Sequence, residues 1–567
     1  MREFEKGVLD VLLSGSDIIV KTLIEQGCDT VFGYPGGQIL NVYDSLYRYQ
    51  DEINHVLTAH EQGATHAADG YARVTGKVGV VISTSGPGAT NLVTGIATAY
   101  LDSIPMVAIC GNVPTTQIGT DSFQEIDITG VTLPITKHNY FVGSVEDLAD
   151  TIREAFKLAK SGRPGPVLID VPKDVQINKC EYEAEAPVEK DEPFAAKDVR
   201  IVEAAEIINS AKRPFIYFGG GVITADAQEE MLALSEKIDA PIGCSLMGLS
   251  GVPTDHPRFL GMQGMHGHFA SSMSMHNADV ILSLGVRFND RVTGNRLKFA
   301  TGAKIVHIDV DGSELNKTVN SVCGLRGDVK LTLQKLLPLL DEDKKEEWMK
   351  KVDDFRKEEE TYLDNREGLT PRIAILTLNK HLGENTAVCT DVGQHQMWSA
   401  QSLNFKTSRR FASSGGLGTM GYGFGAAIGA AYGTKERSVL ITGDGSFGMN
   451  LNELATAVRY NVPVVVIIMN NGVLGMVRQW QTLFYDKHYS NSVLQRKTDF
   501  AAFARSFGAD GEAVTTPEEL DEALAKAFKT EGPYIIDCKI DKDEFVLPML
   551  PPGGSMDDII TKLEVEL

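Results

Sequence analysis

Two acids in this sequence stand among residues that give them chemical work to do. Asp444 lies in GDGS, residues 443–446, between the apolar run SVLIT and the segment MNLNELATAVRY, whose Leu451, Leu454 and Val458 recur at helical spacing. That is a strand end beside a helix start, where backbone N–H groups and the helix dipole favour a phosphate. The next apolar run, VPVVVIIMNN, ends at Asn470 and Asn471. Neighbouring parallel strands would bring Asp444 and Asn471 together. With a loop carbonyl at Val473 they make an oxygen set suited to Mg²⁺ shared with a diphosphate. An Asp-Gly pair alone is more often a turn; the partner at Asn471 reverses that preference in favour of the metal. The second acid, Glu61, follows HVLTA and opens a Gly- and Ala-rich segment that leaves a carboxyl largely unsolvated, where its proton affinity rises. Such an acid can protonate a heterocycle, or it can serve as a helix N-terminal glutamate satisfying backbone donors.

Parallel sheets position groups of this kind, because they bind ligands at the carboxyl ends of their strands. The runs VGVVIST, IPMVAICG and GPVLIDVP, then RPFIYFGGG, DVILSLG and KIVHIDVD, then RSVLITGDG, VPVVVIIMNN and GPYIIDCKI all alternate with amphipathic segments. The pattern predicts an α/β chain of three doubly wound parallel-sheet domains, over 1–180, 199–340 and 369–545. Residues 181–198, acidic and containing two prolines, read as a linker. Residues 341–368 are densely charged, with Trp348, Val352 and Phe355 at helical spacing, and read as an exposed helix joining domains. The tail, 546–567, is expected to fold over a cofactor mouth as a lid.

Composition narrows the partners. With 54 basic against 76 acidic residues the net charge is −22, which argues against nucleic acid or an anionic membrane surface. Any anionic ligand then needs a local positive device. Seven scattered cysteines, none in CxxC spacing, read as reduced and cytoplasmic. The N-terminal MREFEKGVLDVLLSGSD matches neither a secretory signal nor a transit peptide, and the run VPVVVIIM is too short to span a bilayer.

GDG followed by NN resembles the diphosphate signature of thiamine diphosphate enzymes. The strings FGYPGG (32–37), HEQGATHAADGYAR (60–73), TSGPGATN (84–91), DSFQE (121–125), DVGQHQMW (391–398), GGLGTMGYG (415–423) and NGVLGMVRQWQTLFY (471–485) are similar to those of the acetohydroxyacid (acetolactate) synthases, in the same order, from about residue 14 to 550. The resemblance implies decarboxylation of pyruvate on thiamine diphosphate, with Mg²⁺. Condensation of the hydroxyethyl carbanion with pyruvate or 2-ketobutyrate then gives the first common products of branched-chain amino-acid synthesis. It implies that Tyr34, Pro35, Gly36, Glu61, Pro87 and Asn91 hold the pyrimidine half of the coenzyme, with Glu61 bonded to the ring. Val392, Gly393, Gln394, His395, Gly418, Gly443, Asp444, Gly445, Ser446 and Asn471 hold the diphosphate half, Met420 wedges beneath the coenzyme, and Gln124 joins Glu61 and Met420 in catalysis.

YFGGG, GMQGMHGH, LGVRFNDRVTG and HIDVD are similar to the family's flavin-binding segments, which implies a structural FAD held by Gly220, Gly221, Gly264, Met265, His266, Gly285, Arg287, Asn289, Arg291 and Asp309. Arg287 would offset phosphate charge and Asp309 would accept ribose hydroxyls. Phe123, Gln124, Lys173, Arg291, Met476 and Trp480 would line the substrate pocket; Met476 and Trp480, four apart, share a helix face. Gly416, Gly418 and Gly421 form GxGxxG, yet the preceding TSRRFASSG is polar and loop-like, so a dinucleotide fingerprint is rejected. Asn289, Gln38 and Gly425 depart from the family pattern, which commonly has Asp, a small residue and Pro there. The resemblance further implies a homodimer or dimer of dimers with each site across an interface, and a separate small regulatory subunit. A catabolic acetolactate synthase or pyruvate oxidase or decarboxylase of the same fold, and a non-catalytic flavin-binding scaffold, are the alternatives.

Overall fold

The computed structural model describes residues 11–363 and 366–562, so the readings of positions 1–10, 364–365 and 563–567 lie outside the described residues. Among the described residues the chain forms three six-stranded sheets and a two-stranded pair. The pair joins Val11–Ser14 to Lys179–Tyr182, antiparallel, so the start of the expected linker is a strand. All neighbours in the large sheets run parallel. Their inner strands are buried on both faces, which is why they read as unbroken apolar runs.

With strands numbered within each sheet in chain order, the first and third sheets share the order 2-1-3-4-6-5, and the central sheet has 3-2-1-4-5-6. Each order reverses beside its first strand, and a crevice opens there at the carboxyl edge. In the first sheet the reversal lies between Thr30–Gly33 and Gly79–Ser83, in the central sheet between Pro214–Phe218 and Val280–Leu284, and in the third between Ala387–Thr390 and Ser438–Gly443.

The charged segment expected as an exposed helix forms the helix Glu346–Glu360, which is exposed on one face and buried on the other. Trp348, Val352 and Phe355 are buried, and the Trp348 indole donates to Pro214 O at 3.0 Å, so one face packs on the central sheet domain. Phe411–Ala412 is a short strand ahead of the loop 413–421, where the sequence reads as loop throughout. These two buried residues edge the third sheet but are too short to be the strand that a dinucleotide fingerprint needs.

The first and third domains meet through the helices Glu61–Thr75 and Tyr422–Thr434. A Cβ at Gly429 would fall 1.8 Å from Ala67 O, one at Gly70 2.2 Å from Ala426 O, and one at Gly425 2.6 Å from Gly63 O. The helices therefore pack backbone on backbone. Gly425, a departure from the family pattern, is required by this contact: any ring or methyl there meets the opposite helix. Gly429→Ala is expected to destabilise the protein by about 1–3 kcal/mol through overpacking, measured by denaturant unfolding.

Candidate functional site

At the switch point of the third sheet, residues 391–395 leave the end of Ala387–Thr390 and Gly443–Ser446 leave the end of Ser438–Gly443. Asp444 is buried and starts the helix Asp444–Asn450. Gly443 pairs in register with Met469, so Asp444 and Asn471 leave neighbouring strand ends, as the sequence pattern expects. Ser446 Oγ donates to Val392 O at 2.8 Å and ties the two loops. Asn471 accepts at Oδ1 from Val473 N (3.2 Å) and donates from Nδ2 to Gln394 Oε1 (3.4 Å). The Met420 methyl comes within 3.9 Å of where a Cβ would stand on Gly445, and Gly418 turns beside Val392 with φ 72°. The structure thus gathers Val392–His395, Gly418, Met420, Gly443–Ser446, Asn471 and Val473 at one edge.

The charges at this edge fit a metal with a diphosphate. Burial raises the Asp444 carboxyl to about 6, and its hydrogen bonds come from its own N–H and that of Gly445. Burial lowers His395 to about 3, so its ring is neutral; it donates to the Asp391 carbonyl, and its buried Nε2 has no partner. A desolvated carboxylate, an amide oxygen and backbone carbonyls at adjoining strand ends are the donor types a hard divalent cation takes. The orphaned imidazole nitrogen faces the same requirement for a missing neighbour.

A second cluster occupies the equivalent edge of the first sheet. Glu61 is the first residue of Glu61–Thr75, but the cap is His60, whose side chain accepts from Gln62 N at 3.0 Å. The Glu61 carboxyl instead accepts from Asn91 Nδ2 at 3.0 Å. It is partly accessible rather than largely unsolvated. Lys173 Nζ donates to Gly37 O at 3.2 Å, and a Cβ on Gly86 would lie 2.9 Å from Gln124 Cβ, so Tyr34–Gly36, Pro87, Gln124 and Lys173 surround the same crevice. Phe123 projects from it, 84% exposed.

Where the three units meet, a cavity of about 1240 Å³ opens. Gly220, Gly221, Gly285 and Arg287 at the switch point of the central sheet line it, with Met265, His266, Asn289, Arg291 and Asp309. Gly264 does not reach the wall; with φ 117° it packs against the Arg291 backbone. Asn289 is an N-cap, its side chain accepting from Val292 N at 3.2 Å, a role that needs only an oxygen and suits Asn where relatives carry Asp. Burial and the nearby Arg163 hold Arg287 below the ordinary guanidinium range, while burial raises Asp309 to about 6. Two arginines side by side fit a ligand phosphate between them, and a protonatable Asp309 fits a ribose. The far end is lined by Val392, Gly393, Gly418, Met420, Met476 and Trp480, and the Arg291 guanidinium lies 5.9 Å over the Trp480 ring. Glu61, Gln124 and Lys173 are not on this wall, so within one chain the first cluster and the cavity stay apart.

Residues 13–131 match the N-terminal TPP binding domain of thiamine pyrophosphate enzymes, 201–336 their central domain and 391–538 their C-terminal TPP binding domain. The chain is 45% identical to a probable acetolactate synthase large subunit of Methanocaldococcus jannaschii, over 98% of this chain and 96% of that protein. It is 42% identical to the acetolactate synthase isozyme 3 large subunit of Escherichia coli, over 97% and 98%. The large subunit of Corynebacterium glutamicum matches at 44%, over 96% and 90%. The chain belongs to the acetolactate synthase large-subunit family.

In this family member several residues that the sequence left without a role hold the site in place. Asp102 accepts from Gly415 N (3.0 Å), Gly416 N (2.7 Å) and Arg73 Nη2 (2.8 Å), fixing the loop that carries Gly418 and Met420. Asp69 accepts from Arg73 Nε (2.6 Å) and the Tyr422 hydroxyl (2.6 Å). Asp69 lies within a string quoted for the family, but the burial of neither acid has a sequence signal. Glu453, from the third domain, accepts from Ala59 N (3.1 Å) and His60 N (3.0 Å), just ahead of Glu61. Burial raises it to about 7. Since the folded value exceeds that of the unfolded chain, near 4.5, Glu453 favours folding most when protonated, and its contribution falls as pH rises from about 4.5 through about 7. Glu453→Gln is expected to flatten that part of the profile, measured as unfolding temperature from about pH 4.5 to pH 8.

Proposed function

We propose that the chain is the catalytic subunit of an acetolactate synthase, joining a two-carbon unit from pyruvate to a second 2-ketoacid. One observation carries the reading: a buried carboxylate at a helix start stands beside a neutral imidazole whose Nε2 has no partner and an amide just past the end of the next strand. Asp444, Asn471 and the Val473 carbonyl would hold Mg²⁺; Gly393–His395, Gly418 and Gly443–Ser446 would take the diphosphate. Tyr34–Gly36, Pro87 and Asn91 would hold the pyrimidine, and Glu61, freed from capping by His60, would hold a proton at the ring nitrogen. When bound, thiamine diphosphate supplies the carbon acid at which a 2-ketoacid loses CO₂ and from which the remaining unit is passed on. Met420 shapes the coenzyme from below.

The central cavity is read as an FAD site, with Gly220, Gly221, Met265, His266, Gly285, Arg287, Asn289, Arg291 and Asp309 as its holders and Gly264 left behind the wall. Arg291 presents two donors to a 2-ketoacid carboxylate. Met476 and Trp480 bound the second-substrate pocket, and Phe123, Gln124 and Lys173 close it from another copy of the chain. A homodimer is supported by the exposure of Phe123, Tyr34, Leu40 and Met449. The name "large subunit" borne by the relatives supports a separate small subunit. A cytoplasmic location is part of this reading; among the described residues no helix is long and apolar enough to cross a membrane.

Product analysis with pyruvate alone, then with 2-ketobutyrate, tests the reaction. 2-Acetolactate, joined by 2-aceto-2-hydroxybutyrate when 2-ketobutyrate is added, is expected; acetaldehyde or acetate alone would refute it. Glu61→Gln is expected to lower the steady-state rate by roughly 10²–10⁴. Trp480→Leu is expected to shift the ratio of the two products toward 2-acetolactate by an amount worth ~1–3 kcal/mol, read by chromatography.

A further inference from the structure

Gln479 is 1% exposed in the helix Gly475–Phe484, and none of the roles above employs it. Its Oε1 accepts from Val546 N at 2.9 Å and from Gln394 Nε2 at 3.0 Å. Its Nε2 donates to Val546 O at 3.2 Å and lies 3.4 Å from Met549 Sδ. Gln394 Nε2 also donates to Glu544 O at 2.7 Å, which leaves Gln394 Oε1 to accept from Asn471 Nδ2 at 3.4 Å.

The direction of every amide in this chain of bonds is forced. A backbone N–H only donates and a backbone carbonyl only accepts, so Val546 N fixes the oxygen end of Gln479 and Glu544 O fixes the nitrogen end of Gln394. Gln394 must then show its oxygen to Asn471. Asn471 must turn its nitrogen to Gln394 and its oxygen the other way, toward Val473 N. A hard divalent cation takes the oxygen of an amide and not its NH₂. In a buried site a flipped amide would also set NH₂ against NH₂, which is costly.

We propose that Gln479 is a positioning residue: with the backbone of Glu544 and Val546 it holds Gln394, and through Gln394 it keeps Asn471 presenting its oxygen to the cation. The inference rests on the metal reading of Asp444 and Asn471. It also makes the segment at 544–546 a working part of the metal site rather than only a cover.

The test is calorimetric titration of thiamine diphosphate into the full-length, metal-depleted protein at graded Mg²⁺, with no turnover involved. Gln479→Met removes the acceptor while keeping an apolar side chain of similar size, and is expected to raise the Mg²⁺ needed for coenzyme uptake about tenfold. Gln479→Glu keeps the accepting oxygen and is expected to restore the wild-type requirement. Wild-type Mg²⁺ dependence in Gln479→Met would overturn the proposal, as would equal impairment of the two variants. Should Gln479→Met fail to fold, Gln479→Leu, which likewise lacks the acceptor, is titrated in its place: a tenfold rise in the Mg²⁺ requirement supports the relay, and an unchanged requirement overturns it. Absence of Mg²⁺-linked uptake in the wild-type protein would instead refute the metal site itself, and the relay with it.

Discussion

The helices Glu61–Thr75 and Tyr422–Thr434 touch with glycine against carbonyl, and no side chain separates them. Such a contact has one geometry, because neither partner has a rotamer to adjust. The helix Glu61–Thr75 carries Glu61 at its tip; the helix Tyr422–Thr434 begins just after the loop that carries Gly418 and Met420. Asp69, Arg73 and Tyr422 lock the two helices by hydrogen bonds, Asp102 ties the glycine loop to the same arginine, and Glu453 grips the turn before Glu61. Groups from domains far apart in sequence thereby acquire fixed relative positions.

The two outer sheets also share a strand order, and their clusters sit at matching places. Residues 34–36 and 84–87 follow the strands flanking the first switch point, as 391–395 and 443–446 follow those flanking the third. The same topology thus presents two different chemistries, one built around Glu61 and Asn91 and the other around Asp444 and Asn471. What differs is the chemistry of the turns, not the frame. The central sheet uses the other doubly wound order and puts its crevice into a cavity that reaches the third domain's loops.

Much of this frame was legible because parallel strands buried on both faces leave unbroken apolar runs, as in VPVVVIIMNN, and because their ends carry glycine and acid. The convergence of Asp444 and Asn471 followed from strand adjacency alone. What stayed hidden was burial of polar groups by distant chain. Nothing local distinguishes Asp102 or Glu453 from surface acids, and the charged run around Trp348 looked exposed because its buried face holds only three apolar residues. The capping of the Glu61 helix by His60 was equally invisible, since histidine is not among the residues that usually cap. Gly425 looked like an anomaly until the opposing helix was in view.

The buried carboxylates divide by how their charge is met. Asp69 and Asp102 share Arg73, and their role is to hold the joint between domains. Asp391 has no cation but accepts from Gly423 N and the Thr442 hydroxyl, and Glu453 from two backbone N–H groups and the Thr456 hydroxyl. Asp444 and Asp309 have less support: each accepts from backbone N–H groups, with Arg496 acting on Asp444 and Arg163 on Asp309 through charge only, each is raised to about 6 by burial, and each sits at a strand end facing a crevice. In a chain of net charge −22, leaving such acids desolvated is unfavourable unless a ligand completes them. At Asp69, Asp102 and Glu453 the acids that join the domains are surrounded by donors, whereas Asp444 and Asp309, at the mouths of the crevices, have fewer.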